Sequence, residues 1–452
     1  MQTMDQPTHL PEPAAWSTAE KAIFRFFFLY FFIQVVPLDY KYYQYLFSID
    51  WLQLSYREIF YLSRYSPKFI DGADTFLNWA IVAGIALVGS VVWSVFDRQK
   101  REYNLLYYWL RVLVRYRLAV GVLAYGFIKF FPEQSPLPSL SHLNTNYGDF
   151  SAWKLFSLSL GVVPTYESFL GLIEIIGGLL LLHRKTATIA TLIILPFTGN
   201  VFVSNLAYEG GEYVYSLYLI SLALFLFSFD AIRLFTLLSL EKATKPNRFQ
   251  PVFSEQWLKN ARLVGKLAFI VFFVFFYGYQ TYAGHRKGSY QYPQQKGLSQ
   301  AAGLYNVSEF SINGKDIPYS KTDPVRWKDV VFETWATLSI RSNRPVQIDS
   351  LNTEEIFAAD SLRNYESTGS ISRHYYSYTI DSLTHTLLLK NKNRHYKGEQ
   401  LVLHYERPEA GTILLKGLNE NRDSIRVVLN QVDKKYLIYE AKKVGRRKGL
   451  KL

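Results

Sequence analysis

The chain has 452 residues, with 50 Lys and Arg against 37 Asp and Glu for a formal charge of +13, and it contains no cysteine. Disulfides, iron–sulfur clusters, thiol redox couples and cysteine-based zinc sites are therefore excluded. Mean hydropathy is close to zero, but that average joins an apolar stretch over residues 20–282 to a polar one over 285–452, a length that allows two domains.

Seven apolar spans are predicted in chain order, at 20–37, 76–96, 104–131, 165–183, 187–206, 213–238 and 263–282. Each is near or above the roughly 20 residues needed to cross a bilayer. The first follows Lys21 and Arg25 but leaves through Val35-Val36-Pro37-Leu38-Asp39, without small residues at a cleavage position, so it reads as retained rather than as a signal peptide. The third opens with Tyr107-Tyr108-Trp109, suited to the membrane interface.

Loop charge sets the orientation. Arg98, Lys100 and Arg101, the turn Arg184-Lys185, and the loop carrying Arg233, Lys242, Lys245, Arg248, Lys259 and Arg262 form one basic side. The loops at 132–164 and 207–212 hold a single Lys and no Arg. By the positive-inside rule the N-terminus is cytoplasmic and residues from 285 onward lie outside, as expected of a multi-pass protein of a bacterial plasma membrane with its C-terminal domain in the periplasm.

Beyond residue 305 the pattern turns strand-like. Runs at 330–340, 375–380, 386–390, 401–405, 412–415, 425–429 and 436–439 are rich in β-formers, and Asn313-Gly314 marks a hairpin turn. The pattern fits an antiparallel meander, either a small barrel or a sandwich, with a filled core favoured over a lipid-binding cavity. His374, His385, His395 and His404 lack metal-ligand spacing. The C-terminal stretch from Lys442 to Lys451 holds six cations and reads as a solvated tail, with contact to anionic lipid or an acidic partner as the alternative. The fold class is thus a polytopic α-helical membrane bundle followed by an all-β antiparallel exported domain. Its parts are a two-span region (1–103), a four-helix unit (104–240), a cytoplasmic loop with a final span (241–284) and the β-rich domain (285–452).

Candidate site residues are the charges inside the spans. Glu174 lies in an apolar run, where a carboxylate costs several kcal/mol unless it is protonated, paired or facing water. Glu167, seven positions earlier, shares its helical face. Arg111, Arg115 and Arg117 enter the third span, which has Lys129 at its outer end. At about 1.5 Å per residue, Glu174 and Arg117 come to similar depths, roughly 13 Å in, so a neutralising Arg117–Glu174 pair is expected. It serves either to fasten the bundle or to line a proton-accessible or headgroup-binding cavity. Pro196, Thr198, Gly199, Asn200 and Asn205 of the fifth span line that cavity or join helices. Gly171, Gly177 and Gly178 permit close packing. Haem is disfavoured, because the nearest histidine to a span is His183 at its end and both methionines, Met1 and Met4, precede the first span. Phosphate loops, nucleophile elbows and paired His–Glu zinc motifs are absent from the sequence.

Residues 116–238 resemble the four-helix unit of the DoxX family. The resemblance rests on Arg117, Gly121, Gly126 and Lys129 in one helix and on Glu174-Ile-Ile-Gly177-Gly178 followed by a basic turn and Thr186 in the next. It implies a polar cluster of Arg117, Glu174, Glu167, Lys129 and Asn200 at the centre of the unit. The family is named for a subunit of a quinone-reducing sulfur-oxidising complex, so the resemblance implies an auxiliary or quinone-linked role without a bound redox cofactor of its own. Expected partners are the lipid bilayer and other membrane-complex subunits, not nucleic acid. The alternatives are a transporter or lipid-handling protein, and a membrane enzyme with the layout of vitamin K-dependent carboxylase-like proteins.

Overall fold

The computed structural model describes residues 16–245 (71 and 73 excepted), 251, 255–288, 290, 293–348, 353, 355–366 and 369–445. The basic tail beyond Gly445 and both methionines lie outside the described residues. The chain divides into two compact units, one of Met1–Phe127, Leu172–Val203 and Glu212–Gly278, the other of Ile128–Gly171, Ser204–Gly211 and Tyr279–Leu452.

The helical half contains α1 (Thr18–Val35), α2 (Tyr40–Ser48), α3 (Tyr56–Ser63), α4 (Phe76–Phe96), α5 (Asn104–Phe130), α6 (Leu140–Leu143), α7 (Ala152–Gly161), α8 (Pro164–Leu181), α9 (Ala187–Ala207), α10 (Tyr213–Leu238), α11 (Gln256–Ile270) and α12 (Tyr277–Lys287). Ser17 and Glu20 form a reciprocal capping box that starts α1. Val271–Phe276 carries α11 into α12 as a π-helical turn. Among the described residues, six stretches are long and apolar enough to cross a membrane: Thr18–Ser48, Phe76–Phe96, Pro164–Leu181, Ala187–Ala207, Tyr213–Leu238 and Gln256–Lys287. Large apolar side chains such as Val88, Val91, Phe96 and Phe275 are exposed on them, a surface suited to lipid. At 27 residues α5 is long enough as well, but it carries Arg111, Arg115, Arg117 and Lys129. It runs antiparallel to α10, with Tyr107 against Phe225 and Phe229, Arg117 against Tyr218, and Tyr125 against Tyr215.

Glycines fix the α5–α8 register. A Cβ on Gly126 would meet the Ile175 backbone nitrogen at 3.0 Å and the Glu174 Cβ at 3.2 Å, and one on Gly178 would meet Leu123 at 2.6 Å. Both helices therefore approach backbone to backbone at these positions.

The β region is a closed antiparallel barrel. Its strands are β1 (Gly303–Ile312), β2 (Lys315–Asp316), β3 (Asp329–Phe332), β4 (Thr337–Arg341), β5 (Arg373–Asp381), β6 (Thr386–Asn391), β7 (Gln400–Glu406), β8 (Thr412–Leu418) and β9 (Ser424–Gln431). Neighbours pair from β3 through β9, β1 pairs with β3 on one edge, and Tyr305 to Ile312 pair with Gln431 to Ile425 of β9 to close the ring. The barrel alternative is thus the observed one, and its interior is filled by side chains including Tyr305, Phe332, Leu338, Leu389, Leu403 and Val427.

Asn313 and Gly314 both have positive φ, 50° and 77°, and form the two-residue turn between β1 and β2. Two expectations change. The run 330–340 is a hairpin, not one strand, because the chain reverses between Phe332 and Thr337. The segment 436–439 enters a helix, α13 (Leu437–Val444), rather than a strand. Since β9 already holds β1 and β8, the closed ring offers no edge to a further strand.

Strands β6 to β9 alternate buried and exposed residues, but every residue of β3 is buried, as are the first four of β4 and of β5. Their inward face is apolar apart from His374; their outward face carries Asp329, Glu333, Thr337, Ser339, Arg373 and Tyr375, all buried. Segments 139–151, 360–366 and 369–371 cover that face, with Ser151 N–H donating to the Gly369 carbonyl and Ile371 N–H to that of Asp149.

Candidate functional site

Of the predicted intramembrane residues, Arg117, Glu174 and Asn200 fall in the first unit and Lys129 and Glu167 in the second. Arg117 is buried in the first unit and donates through Nη1 to the Ser63 carbonyl at 2.6 Å, through Nη2 to the Tyr65 carbonyl, and through Nε to the Tyr218 hydroxyl at 3.2 Å. The guanidinium thus caps the last carbonyl of α3, where the helix dipole is negative, and holds the chain just beyond it at Tyr65. The expected Arg117–Glu174 pair is not formed. Glu174 stands level with Gly126, nine residues or about 13 Å further along α5. The equal-depth estimate failed because both helices were measured from their ends, whereas the glycine contacts slide α8 toward the far end of α5.

The first unit instead holds an ionic lock that sequence reading missed. Arg64 Nη2 lies 2.7 Å from both Asp74 and Glu212, and the Tyr125 hydroxyl donates to Glu212 at 2.9 Å. Ser55-x-x-Glu58, a capping box ahead of α3, was the available signal that the 38–75 loop is built rather than loose. Asn200 lies in α9 of this unit and is exposed.

Glu167 and Lys129 belong to the second unit, where both are buried and Lys129 attracts Glu167 electrostatically. Glu167 Oε1 accepts from the Ser135 N–H at 3.1 Å. Nearby in sequence, buried Glu133 pairs with His285 at 3.4 Å.

Because Arg117 and Glu174 serve separate contacts, their substitutions should be independent. Arg117→Gln is expected to destabilise the protein by about 2–3 kcal/mol by leaving buried carbonyls short of a charged donor. Combined with Glu174→Gln it should be additive within about 0.5 kcal/mol. Thermal unfolding of the four proteins in mild detergent checks this; a larger interaction energy would restore the pair.

The covered outer wall of β3 to β5 gathers more ionisable groups than any predicted site. Asp360 is its hub: Oδ2 accepts from Lys392 Nζ at 2.7 Å, Trp335 Nε1 at 2.7 Å and the Thr337 hydroxyl at 2.9 Å, and Oδ1 accepts from the Tyr365 hydroxyl at 2.8 Å. Burial opposes its ionisation, but Lys392 and Arg363, with the donated hydrogen bonds, hold its carboxyl below the ordinary range. Tyr365 stacks on Tyr375 with ring centroids 4.3 Å apart. Arg373 bridges Asp329 at 2.6 Å and the Asn144 carbonyl at 2.7 Å, and Glu333 accepts from the Leu140 and Ser141 N–H groups at 3.0 and 2.8 Å.

Burial also raises the Glu333 carboxyl and, together with Lys154, Arg363 and Arg373, pushes His142 well below its usual value. The Glu366 carboxylate makes no hydrogen bond among the described residues. A cavity of about 210 Å³ opens beside this layer, walled by Gln295, Trp335, Thr337, Asp360 and Ser361. Pairs of acids held below and above neutrality in one layer are the raw material of proton transfer, although every Asp360 oxygen is already engaged.

In the first unit, α1, α5 and α10 enclose a groove of about 640 Å³. Its walls are largely aromatic, from Phe24, Phe27, Phe31 and Phe225, and Ile23 and Leu224 on its rim are exposed. Its polar groups are few: Glu20 is spent on the α1 cap, and the Ser221 and Ser228 hydroxyls donate to carbonyls of their own helix, which leaves the Tyr107 hydroxyl and the Trp16 indole N–H as donors.

No protein-family model, curated protein or solved structure matches this chain.

Proposed function

We propose that the protein is a seven-span, DoxX-like membrane protein that holds an isoprenoid quinone or similar lipid in the α1/α5/α10 groove and acts as an auxiliary subunit, with its barrel outside the cytoplasm. The observation that carries the reading is the groove: long, aromatic and rimmed by exposed apolar residues, it suits a prenyl or acyl chain. Tyr107 supplies one donor for a quinone carbonyl. A bound quinone would add two-electron, two-proton carrier chemistry, and the residues of the groove would orient its tail and exclude water. The seventh span is supported by α5 lying antiparallel along α10, from Tyr107 beside Phe229 to Tyr125 beside Tyr215. A helix packed along the length of a spanning helix crosses the same thickness.

The test is extraction of lipids from the full chain purified in mild detergent, with Leu224→Trp built to fill the groove. Wild type should retain isoprenoid quinone or lipid, and the variant should lose it several-fold at an unchanged melting temperature. Equal retention by both proteins would remove the groove from the reading. Photo-crosslinking with an azido-quinone separates quinone from ordinary lipid.

A second reading, a membrane enzyme of the carboxylase-like layout, is favoured by the buried layer with Lys154, Lys392, His142 and Glu366. It requires the purified protein to consume a reduced quinone, and to do so more slowly as Glu366→Gln. Turnover indifferent to that change, or none, discards it.

A further inference from the structure

A second recess lies among α5, α9 and α10 at the end where the basic turn Arg184-Lys185 emerges. It measures about 40 Å³ and is walled by Tyr108, Arg111, Arg115, Arg184, Thr188 and Asp230. Three guanidiniums therefore converge on a space that holds one carboxylate.

That carboxylate is already committed. Asp230 Oδ2 accepts from the Thr188 hydroxyl at 2.6 Å, and Oδ1 pairs with Arg233 on the same helix at 3.3 Å. Among the described residues Arg111, Arg115 and Arg184 form no ion pair, and the buried Nε of Arg115 has no acceptor. Arg111 is held in place by aromatic faces, with its guanidinium carbon 3.1 Å from the Phe229 centroid and 5.6 Å from that of Tyr107. Asp230 attracts Arg111 without pairing with it, so arginines positioned by rings and lacking an ion-pair partner form a preformed site with oriented planar forks. Arg115 is repelled by Arg184, and Arg111 by Arg115, so an anion between them would relieve the repulsion.

We propose that this recess binds a phosphate group, with Arg111, Arg115 and Arg184 as its ligands. The place in the fold favours an anionic lipid headgroup over free phosphate. The recess stands level with the α8–α9 turn, and Tyr107, Tyr108 and Trp109 of α5 surround that level as an interfacial belt does. Three guanidiniums suit a tetrahedral phosphate, whose several oxygens can each accept from a different arginine. The inference stands apart from the groove, since it rests on the arginines and not on an acyl chain.

The test is native mass spectrometry of the full chain with phosphatidylglycerol, with phosphatidylcholine of the same acyl chains, and with inorganic phosphate. Phosphatidylglycerol should be retained in preference to phosphatidylcholine. Arg115→Gln and Arg184→Gln should each weaken that preference about fivefold, the factor expected for one cation near an anionic headgroup. Arg184 sits on an exposed turn, so its loss tests binding without testing folding. Asp230→Asn should instead strengthen retention, which a folding defect cannot imitate. Arginine-dependent binding of inorganic phosphate without lipid preference would keep the site and name free phosphate as its ligand. Equal retention of the two lipids with no binding of inorganic phosphate, or a phosphatidylglycerol preference unaltered in both arginine variants, would overturn the proposal. Retention of phosphatidylcholine reads the apolar groove separately.

Discussion

Replacing Asp360 with alanine is expected to destabilise the barrel unit by about 3–5 kcal/mol, enough to unfold many domains of its size. Four donors from four places in the sequence, Trp335, Thr337, Tyr365 and Lys392, end on this one carboxylate. Removing it leaves a lysine of 0% side-chain exposure without its counter-charge. Lys392→Met should cost less than the aspartate change, because the carboxylate keeps three neutral donors. The double variant Asp360→Asn with Lys392→Met should recover part of the loss, since no buried charge then lacks a partner. Guanidinium unfolding of the full chain in detergent checks this, followed by tryptophan fluorescence in variants that keep Trp327 and Trp335 of the nine tryptophans and replace the rest with Phe. An Asp360→Ala protein as stable as wild type would mean that water reaches the layer freely.

The second large effect concerns pH. Burial pushes the Glu366 carboxyl up to about 8, against 4.5 in the unfolded chain. Between those values the folded state keeps a proton that the unfolded state has released, so stability falls as pH rises, by about 1.4 kcal/mol per unit. His374 acts in the opposite sense. Burial, with Arg344 beside it, pushes its imidazole down to about 4 from 6.5. Between those values the unfolded chain gains a proton that the folded chain refuses, so stability falls as pH drops. From pH 4.5 to 6.5 the two slopes oppose one another and nearly cancel. Together these two groups should therefore add no net slope there, and Glu366 should add a descent from 6.5 to 8. Glu366→Gln should remove that contribution, stabilising the protein by about 3 kcal/mol at pH 7 and making the profile less steep between 6.5 and 8. Superimposable pH profiles for wild type and Glu366→Gln would refute the assignment.

What the sequence shows plainly is whatever is coded by contiguous residues. The span at 76–96 coincides with α4 and that at 213–238 with α10, because uninterrupted apolar runs have abrupt polar ends. Asn313-Gly314 announces its turn because two consecutive residues with positive φ nearly demand that pair. The polar layer was illegible for the converse reason. Ser141 meets Glu333 across 192 positions and Asn144 meets Arg373 across 229, and no periodicity records such pairings. Arg117 was correctly singled out as a buried charge, but its partners are backbone carbonyls, to which side-chain identity gives no clue. The basic turn was read as a topology signal alone, although Arg184 also faces two arginines of another helix.

Closure of the barrel has a consequence for the order of events during synthesis. Tyr305 finds its place against Gln431, so the first long strand waits for the last before its second edge is satisfied. If the unit is threaded across a membrane in chain order, more than a hundred residues pass through while β1 lacks that partner. Pairings of such sequence separation close slowly, and an open edge recruits other strands in the meantime. The barrel should thus mature only after translocation, which makes the interval between export and closure the time at which it is most in need of a chaperone.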